Sequence, residues 1–257
     1  MVLQDKNKND NKNDNKNERM KTTLVINPKG GSGKTTIAIN LAACLAADNV
    51  ATTLMDYDPQ GSSLCWLRSR APQAPRIHGA NGAPARFGQL RSFEMYVPPE
   101  TRHLIIDAPA GSAGVLLQEM VERAHSVLVP VVPSIIDIRA TEAFIQTLLS
   151  MPKVRAGEAR VGIVANKVRI SMPAYQPFLR FLESLELRML ARLLDSDLYL
   201  RAAESGIGIF EMDAGQSAAE RKQFTPIVEW VTGRHAPYEN LAAPVYAASP
   251  RIRRVSF

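Results

Sequence analysis

The sequence predicts a doubly wound α/β fold: a single, mostly parallel sheet with helices packed on both faces. Three observations predict it. Short apolar runs without polar alternation recur along the chain, as in Thr22–Asn27, Leu104–Ile106 and Ser126–Val132, and strands buried on both faces read this way. Stretches of helical period separate them, as crossovers between parallel strands require. Four apolar runs end on or lead into a polar residue, Asn27, Asp56, Asp107 or Asn166. In doubly wound sheets ligands sit beyond the carboxyl ends of the strands.

In chain order, Thr22–Asn27 reads as a buried strand entering a Gly-rich loop, and Thr35–Ala47 as the helix after it. Ala51–Met55 is a strand ending on Asp56, and Leu104–Ile106 a strand ending on Asp107. Ser126–Val132 is a strand and Arg139–Leu149 a helix. Val161–Ala165 is a strand ending on Asn166. Tyr175–Leu185 is helical, Met189–Leu194 is a strand, and Leu198–Glu204 and Ala218–Val231 are helices. Ala71–Pro84, rich in Pro, Gly and Ala, reads as a long irregular connection.

The 257 residues are 46% hydrophobic and 22% charged, ordinary for a globular chain. Residues 1–19 alternate Lys, Asn and Asp and bury too little to fold. We therefore expect a disordered tail over 1–19, one folded domain over 20–232 and a basic extension over 233–257. The net charge of +6 lies mostly beyond residue 150, where 15 basic side chains face 11 acidic ones; such an excess suits a weak phosphate-facing surface. No apolar run is long enough to span a bilayer and no signal-peptide core opens the chain. Cys44 and Cys65 stand singly in apolar surroundings, as free thiols of a reducing compartment do. A cytoplasmic location is expected.

Three motifs carry the chemistry. Asn27–Thr36 (NPKGGSGKTT) lies between strand and helix. Backbone amides of 29–35 can wrap a polyphosphate, and the helix aims its positive end at it. Gly30, Gly31 and Gly33 permit the turns, with Ser32 among them. Lys34 would reach the β and γ phosphates and Thr35 would bind Mg²⁺. Pro28 stands where a phosphate loop usually has its first Gly, and a second lysine, Lys29, has appeared. Next, Asp56–Ser63 (DYDPQGSS) sets two carboxylates at spacing two beyond a strand. Asp58 is assigned to orienting the attacking water, and Asp56 to supporting the metal and Lys34. Last, Leu104–Gly111 (LIIDAPAG) ends an apolar strand on Asp107, placed to hold Mg²⁺ directly or through water, with Ala108–Gly111 as a γ-phosphate switch.

These stretches, in this order, resemble the ParA/MinD family of deviant Walker-A ATPases, a branch of the P-loop fold. The matching residues are Lys29-Gly30-Gly31-Ser32-Gly33-Lys34-Thr35-Thr36, Asp56-Tyr57-Asp58-Pro59-Gln60-Gly61 and Asp107-Ala108-Pro109, with the runs at 133–139 and 200–206. The resemblance implies ATP and Mg²⁺ as cofactors and a homodimer with ATP sandwiched between subunits. Lys29 would cross to the partner's phosphates, as an arginine finger does. Asn166 would contact adenine. ATP binding would make the dimer and hydrolysis would undo it.

The tail from Arg234 to Phe257 is broken by Pro237, Pro244 and Pro250 and lacks a long apolar face, so direct membrane anchoring is not expected. The cysteines do not sit at loop positions suited to a cluster, and the length leaves no room for a further large domain. What remains resembles a short, stand-alone ParA-like ATPase. It would bind DNA nonspecifically as an ATP dimer, associate with the nucleoid and position a large cargo, such as a carboxysome, plasmid or chromosome. A cargo adaptor protein would stimulate hydrolysis. Arg201 matches a DNA-contacting arginine of the family, and Arg221, Lys222 and Arg169 are further candidates. The alternative is a nucleotide-switched scaffold that recruits proteins at the cell envelope without binding DNA.

Overall fold

A computed structural model of the chain describes residues 19–84, 94–184 and 187–234, with the backbone alone for 135–139. The strands are β1 (Lys21–Val25), β2 (Thr52–Asp56), β3 (Ile77–Asn81), β4 (His103–Asp107), β5 (Ser126–Val131), β6 (Arg160–Val168) and β7 (Met189–Leu194). The helices are α1 (Lys34–Ala47), α2 (Ser62–Arg68), α3 (Gly114–Arg123), α4 (Ile135–Ser150), α5 (Pro152–Arg155), α6 (Tyr175–Ser184), α7 (Leu198–Glu204) and α8 (Ala218–Thr232). The expected tail and most of the C-terminal extension, with its Arg251, Arg253 and Arg254, lie outside the described residues.

All seven strands join one sheet in the order β3-β2-β4-β1-β5-β6-β7, every pairing parallel. The predicted fold class is therefore observed. Successive side chains of one strand feed opposite cores, as the period-2 pleat requires. Leu24, Met55 and Ile106 pack on one face with Met120, Ile145 and Phe178. Their neighbours Val25, Leu54 and Ile105 pack on the other with Leu41, Leu45, Phe224 and Trp230. This two-sided burial is why the strands read as unbroken apolar runs.

Two expectations are corrected. Ala71–Pro84 is not wholly irregular, because it contains β3, which pairs along β2 from Thr52↔Ile77 to Asp56↔Asn81. As an edge strand it buries only Ile77 and Ala80, so its composition looked like a loop's. Gly79 lies under two leucines of α2: a Cβ would meet the Leu67 side chain at 2.7 Å and the Leu64 side chain at 3.0 Å, so they would have to shift. Asn166 does not end its strand, because β6 continues to Val168 through an irregularity after Ala165.

At the amino ends of the strands, cations satisfy carbonyls that end α8. Lys21 donates to Thr232 at 2.5 Å, and Arg160 donates to Trp230 at 3.0 Å while lying 4.6 Å over its ring. Nearby, His103 is 2% exposed and bonds Thr23 Oγ1 at 2.8 Å. Burial, then Lys21 and His125, push its pKa down to about 4.

A histidine depressed in the folded state leaves stability intact above its unfolded value of about 6.5, and stability falls as pH drops toward about 4. Urea unfolding at stepped pH should show wild type losing on the order of 3 kcal/mol relative to His103→Gln across that window, since the raised Asp107 carboxyl contributes with the opposite sign in both proteins. His103→Gln should flatten the slope, read as the difference from wild type. An identical pH slope in both proteins would refute the assignment.

Candidate nucleotide site

The loop 26–33 leaves β1 at the point where the chain's neighbours diverge, β4 on one side and β5 on the other. Its entry is fixed by Asn27, 1% exposed, which donates to the Pro130 carbonyl at 2.7 Å and accepts from the Lys29 amide at 2.8 Å. Gly31 and Gly33 have φ of 76° and 90°, left-handed values that glycine adopts without strain. Gly33 caps α1 without any side-chain bond, and the first turn holds no acidic residue. The leading amides of a 14-residue helix are thus left for an anion. The glycine pattern survives Pro28 because that residue contributes its carbonyl, which accepts from the Gly111 amide at 2.8 Å. This bond ties the phosphate loop to Ala108–Gly111.

The charged residues converge. Lys34 is 7% exposed, and its ammonium donates to the Lys29 carbonyl at 3.0 Å. Burial lowers its pKa, while Asp107 and Asp58 oppose that shift. Asp56 and Asp107 are directly paired across β2 and β4, and Asp107 also pairs with Val25 of β1. Their roles differ. Asp56 Oδ1 accepts from the Asp58 amide at 2.9 Å, and Oδ2 accepts from the amides of Ser63 and Leu64 at 3.0 and 3.2 Å. Asp56 therefore caps α2 and shapes the loop that carries Asp58. Asp58 is half-buried and accepts from Gln60 at 2.9 Å.

Asp107 is 1% exposed, and neither carboxylate oxygen has a hydrogen-bond partner. Burial, and then the charge of Asp56, raise its pKa to about 7. Thr35, Lys34 and Ser63 pull the other way, although the Thr35 and Ser63 hydroxyls do not reach it in hydrogen-bonding geometry. The Ser63 hydroxyl is likewise buried and unpartnered. Orphaned buried oxygens beside a threonine hydroxyl and a phosphate loop fit a hard cation that takes oxygen ligands. Gly30 and Gly31 leave open space where a Cβ would be, and Thr35 and Thr36 are half-buried at the start of α1.

Residues 23–209 match the family described as the CobQ/CobB/MinD/ParA nucleotide binding domain. The chain belongs to this family. Its relatives include "Maintenance of carboxysome distribution protein A" of Halothiobacillus neapolitanus, 25% identical over 205 residues, 77% of this chain and 91% of that protein. The "Chromosome-partitioning ATPase Soj" of Thermus thermophilus is 29% identical over 175 residues, 54% of this chain and 64% of Soj. The fold is shared with an ATP complex of McdA from Cyanothece, at TM-score 0.64 and 17% identity over 87% of this chain and 100% of that one. The chain is thus of a nucleotide-binding type, and among the described residues no helix is long and apolar enough to cross a membrane.

Around the phosphate loop the fold brings together Lys29, Ser32, Lys34, Thr35, Asp58, Asp56 and Asp107. Asn166 is there too, but its Nδ2 donates to the Ser32 carbonyl at 2.8 Å. The candidate DNA residues do not share one setting. Arg201 and Lys222 are exposed on α7 and α8. Arg169 is paired with Asp195. Arg221 bonds the Ile209 carbonyl at 3.2 Å, the Met212 carbonyl at 2.5 Å and Ser217 Oγ at 2.8 Å, so it fastens the start of α8 to the preceding loop. The side chains of 135–139 lie outside the described residues. Sequence reasoning missed Ser63, Lys167 and the bracing role of Asn27; only Ser63, inside the Asp-rich motif, carried a signal.

Asp107→Asn should raise the melting temperature of nucleotide-free protein, because it removes a buried charge that has no partner. A gain of about 1–2 kcal/mol is expected. The same variant should lose the extra stabilisation that Mg²⁺ adds to ADP. Calorimetric melting with ADP, with and without Mg²⁺, reads both effects, and a retained Mg²⁺ increment would exclude Asp107 from the cation site.

Proposed function

We propose that this chain is an ATPase that dimerises on ATP, binds DNA without sequence preference in that state, and positions a large intracellular cargo over the nucleoid. The observation that carries this reading is the buried, unpartnered Asp107, in register with Asp56 and facing Lys34, beside a loop that holds a second lysine, Lys29.

Each residue has a role. The amides of 30–35 and the Lys34 ammonium hold the phosphates. Thr35 and Asp107 hold Mg²⁺, with Asp56 shaping the wall behind it. Bound Mg²⁺ neutralises phosphate charge. Asp58 orients the water and accepts its proton. Lys29 reaches the partner subunit's nucleotide, so two chains complete each site. Asn166 lies next to the loop, where its carbonyl oxygen remains to meet adenine. An adaptor protein on the cargo stimulates hydrolysis and resets the dimer. The relative named for carboxysome distribution, aligned over most of both chains, supports a protein assembly as the cargo, with a plasmid or chromosome as the variant that Soj suggests.

The contact with DNA rests on Arg201 and Lys222, doubled by dimerisation. Arg221 and Arg169 are weaker contributors, because both already have partners within the chain. That arrangement favours one second reading: a nucleotide-switched scaffold that recruits proteins at the cell envelope without DNA.

Light scattering should find a dimer with ATP and a monomer with ADP. Lys34→Ala should lose nucleotide binding. Lys29→Ala should still bind nucleotide but fail to dimerise, with turnover lower by about 10²-fold or more. DNA mobility shifts should appear with ATP and persist with Asp58→Ala. Equal shifts in ATP and ADP would sink the DNA switch, and no shift in either would leave the scaffold reading.

A further inference from the structure

The phosphate loop is held from behind by a feature of β6 that the roles above do not use. Between Ala165↔Arg192 and Val168↔Leu194, β6 advances three residues while β7 advances two. One residue is extra, which makes a bulge. In a regular strand Asn166 and Lys167 would point to opposite faces. Here Lys167 has φ of 51°, a left-handed value that lysine seldom adopts. Both side chains consequently reach the same loop. Asn166 Nδ2 donates to the Ser32 carbonyl at 2.8 Å, and Lys167 Nζ donates to the Gly31 carbonyl at 3.1 Å. Consecutive carbonyls are thus drawn to one side. Gly33 completes the fit, since a Cβ there would stand 2.1 Å from Asn166 Nδ2.

We propose that Lys167 is a positioning residue for nucleotide binding: with Asn166 it braces the Gly31 and Ser32 carbonyls outward, so that the loop's amides converge on phosphate before any ligand arrives. The bulge is kept because it supplies two adjacent donors. The amine on Gly31 is charge-assisted, and it adds a positive charge behind the loop without entering the phosphate site. This proposal rests on the reading of the loop as a nucleotide site, but not on dimerisation or DNA binding.

The test titrates ADP with Mg²⁺ into full-length protein by calorimetry and follows amide exchange of 30–33 in nucleotide-free protein. Lys167→Met should weaken ADP by about tenfold and speed exchange in that loop. Lys167→Arg should restore both, since it keeps the donor. Lys167→Gly relaxes the backbone while removing the amine, and it should behave as Lys167→Met does. ADP affinity within twofold of wild type in Lys167→Met, with unchanged exchange, would overturn the brace. Wild-type affinity in Lys167→Gly would overturn it too, by assigning the effect to backbone conformation. Wild-type protein that binds no ADP would remove the site reading and the brace together, an outcome distinct from a null effect at position 167.

Discussion

The site depends on one costly arrangement: a carboxylate placed at the centre of the sheet with nothing to bond it. Asp107 ends β4 between β1 and β2, and pairs in register with Asp56 on one side and Val25 on the other. Desolvation and a neighbouring carboxylate both oppose its charge. Under the proposed function this cost would be met by what the site binds. Lys34 is buried against it, the Thr35 and Ser63 hydroxyls border it, and the glycine loop opens beside it.

Asp56 shows how the same chemistry serves a different purpose one strand away. Three amides satisfy its carboxylate, which fixes its position and sets the first turn of α2. The far end of α2 is fastened as firmly. Arg70, stacked 5.0 Å over Trp66, makes a bidentate pair with Glu211 at 2.7 and 2.9 Å and also bonds the Gly206 and Pro75 carbonyls. Gly206 leaves room for this contact, because a Cβ would sit 2.5 Å from the Ser69 carbonyl. A continuous packed path therefore runs from the Asp56 turn through α2 to the end of α7, the helix that carries Arg201.

Much of this was legible in the sequence. Two-sided burial writes itself as unbroken apolar runs, so most strands, their mostly parallel pairing and most of the polar residues at their ends could be read directly. The convergence of Lys34, Asp58 and Asp107 followed from topology alone. What could not be read depended on partners far along the chain. β3 looks like loop because an edge strand needs few apolar residues. Arg221 looks like a surface cation because its acceptors, the Ile209 and Met212 carbonyls, carry no side-chain signature. The bonds by which Asp56 caps α2 could not be read either, because capping and metal support call for the same residue type. The bulge at Lys167 has no glycine to announce it.

The bond between Lys21 and the Thr232 carbonyl has a consequence for the chain as a string. The first strand and the last helix of the described fold meet there, at the amino ends of the strands, away from the phosphate loop. A few linking residues between them would close the folded part into a ring. The order of elements around the nucleotide would then be independent of where the ring is cut, so a circular permutant opened in a surface connection should keep the same site. Whatever is attached at either end starts from the face away from the phosphate loop, as a load is fixed to a handle.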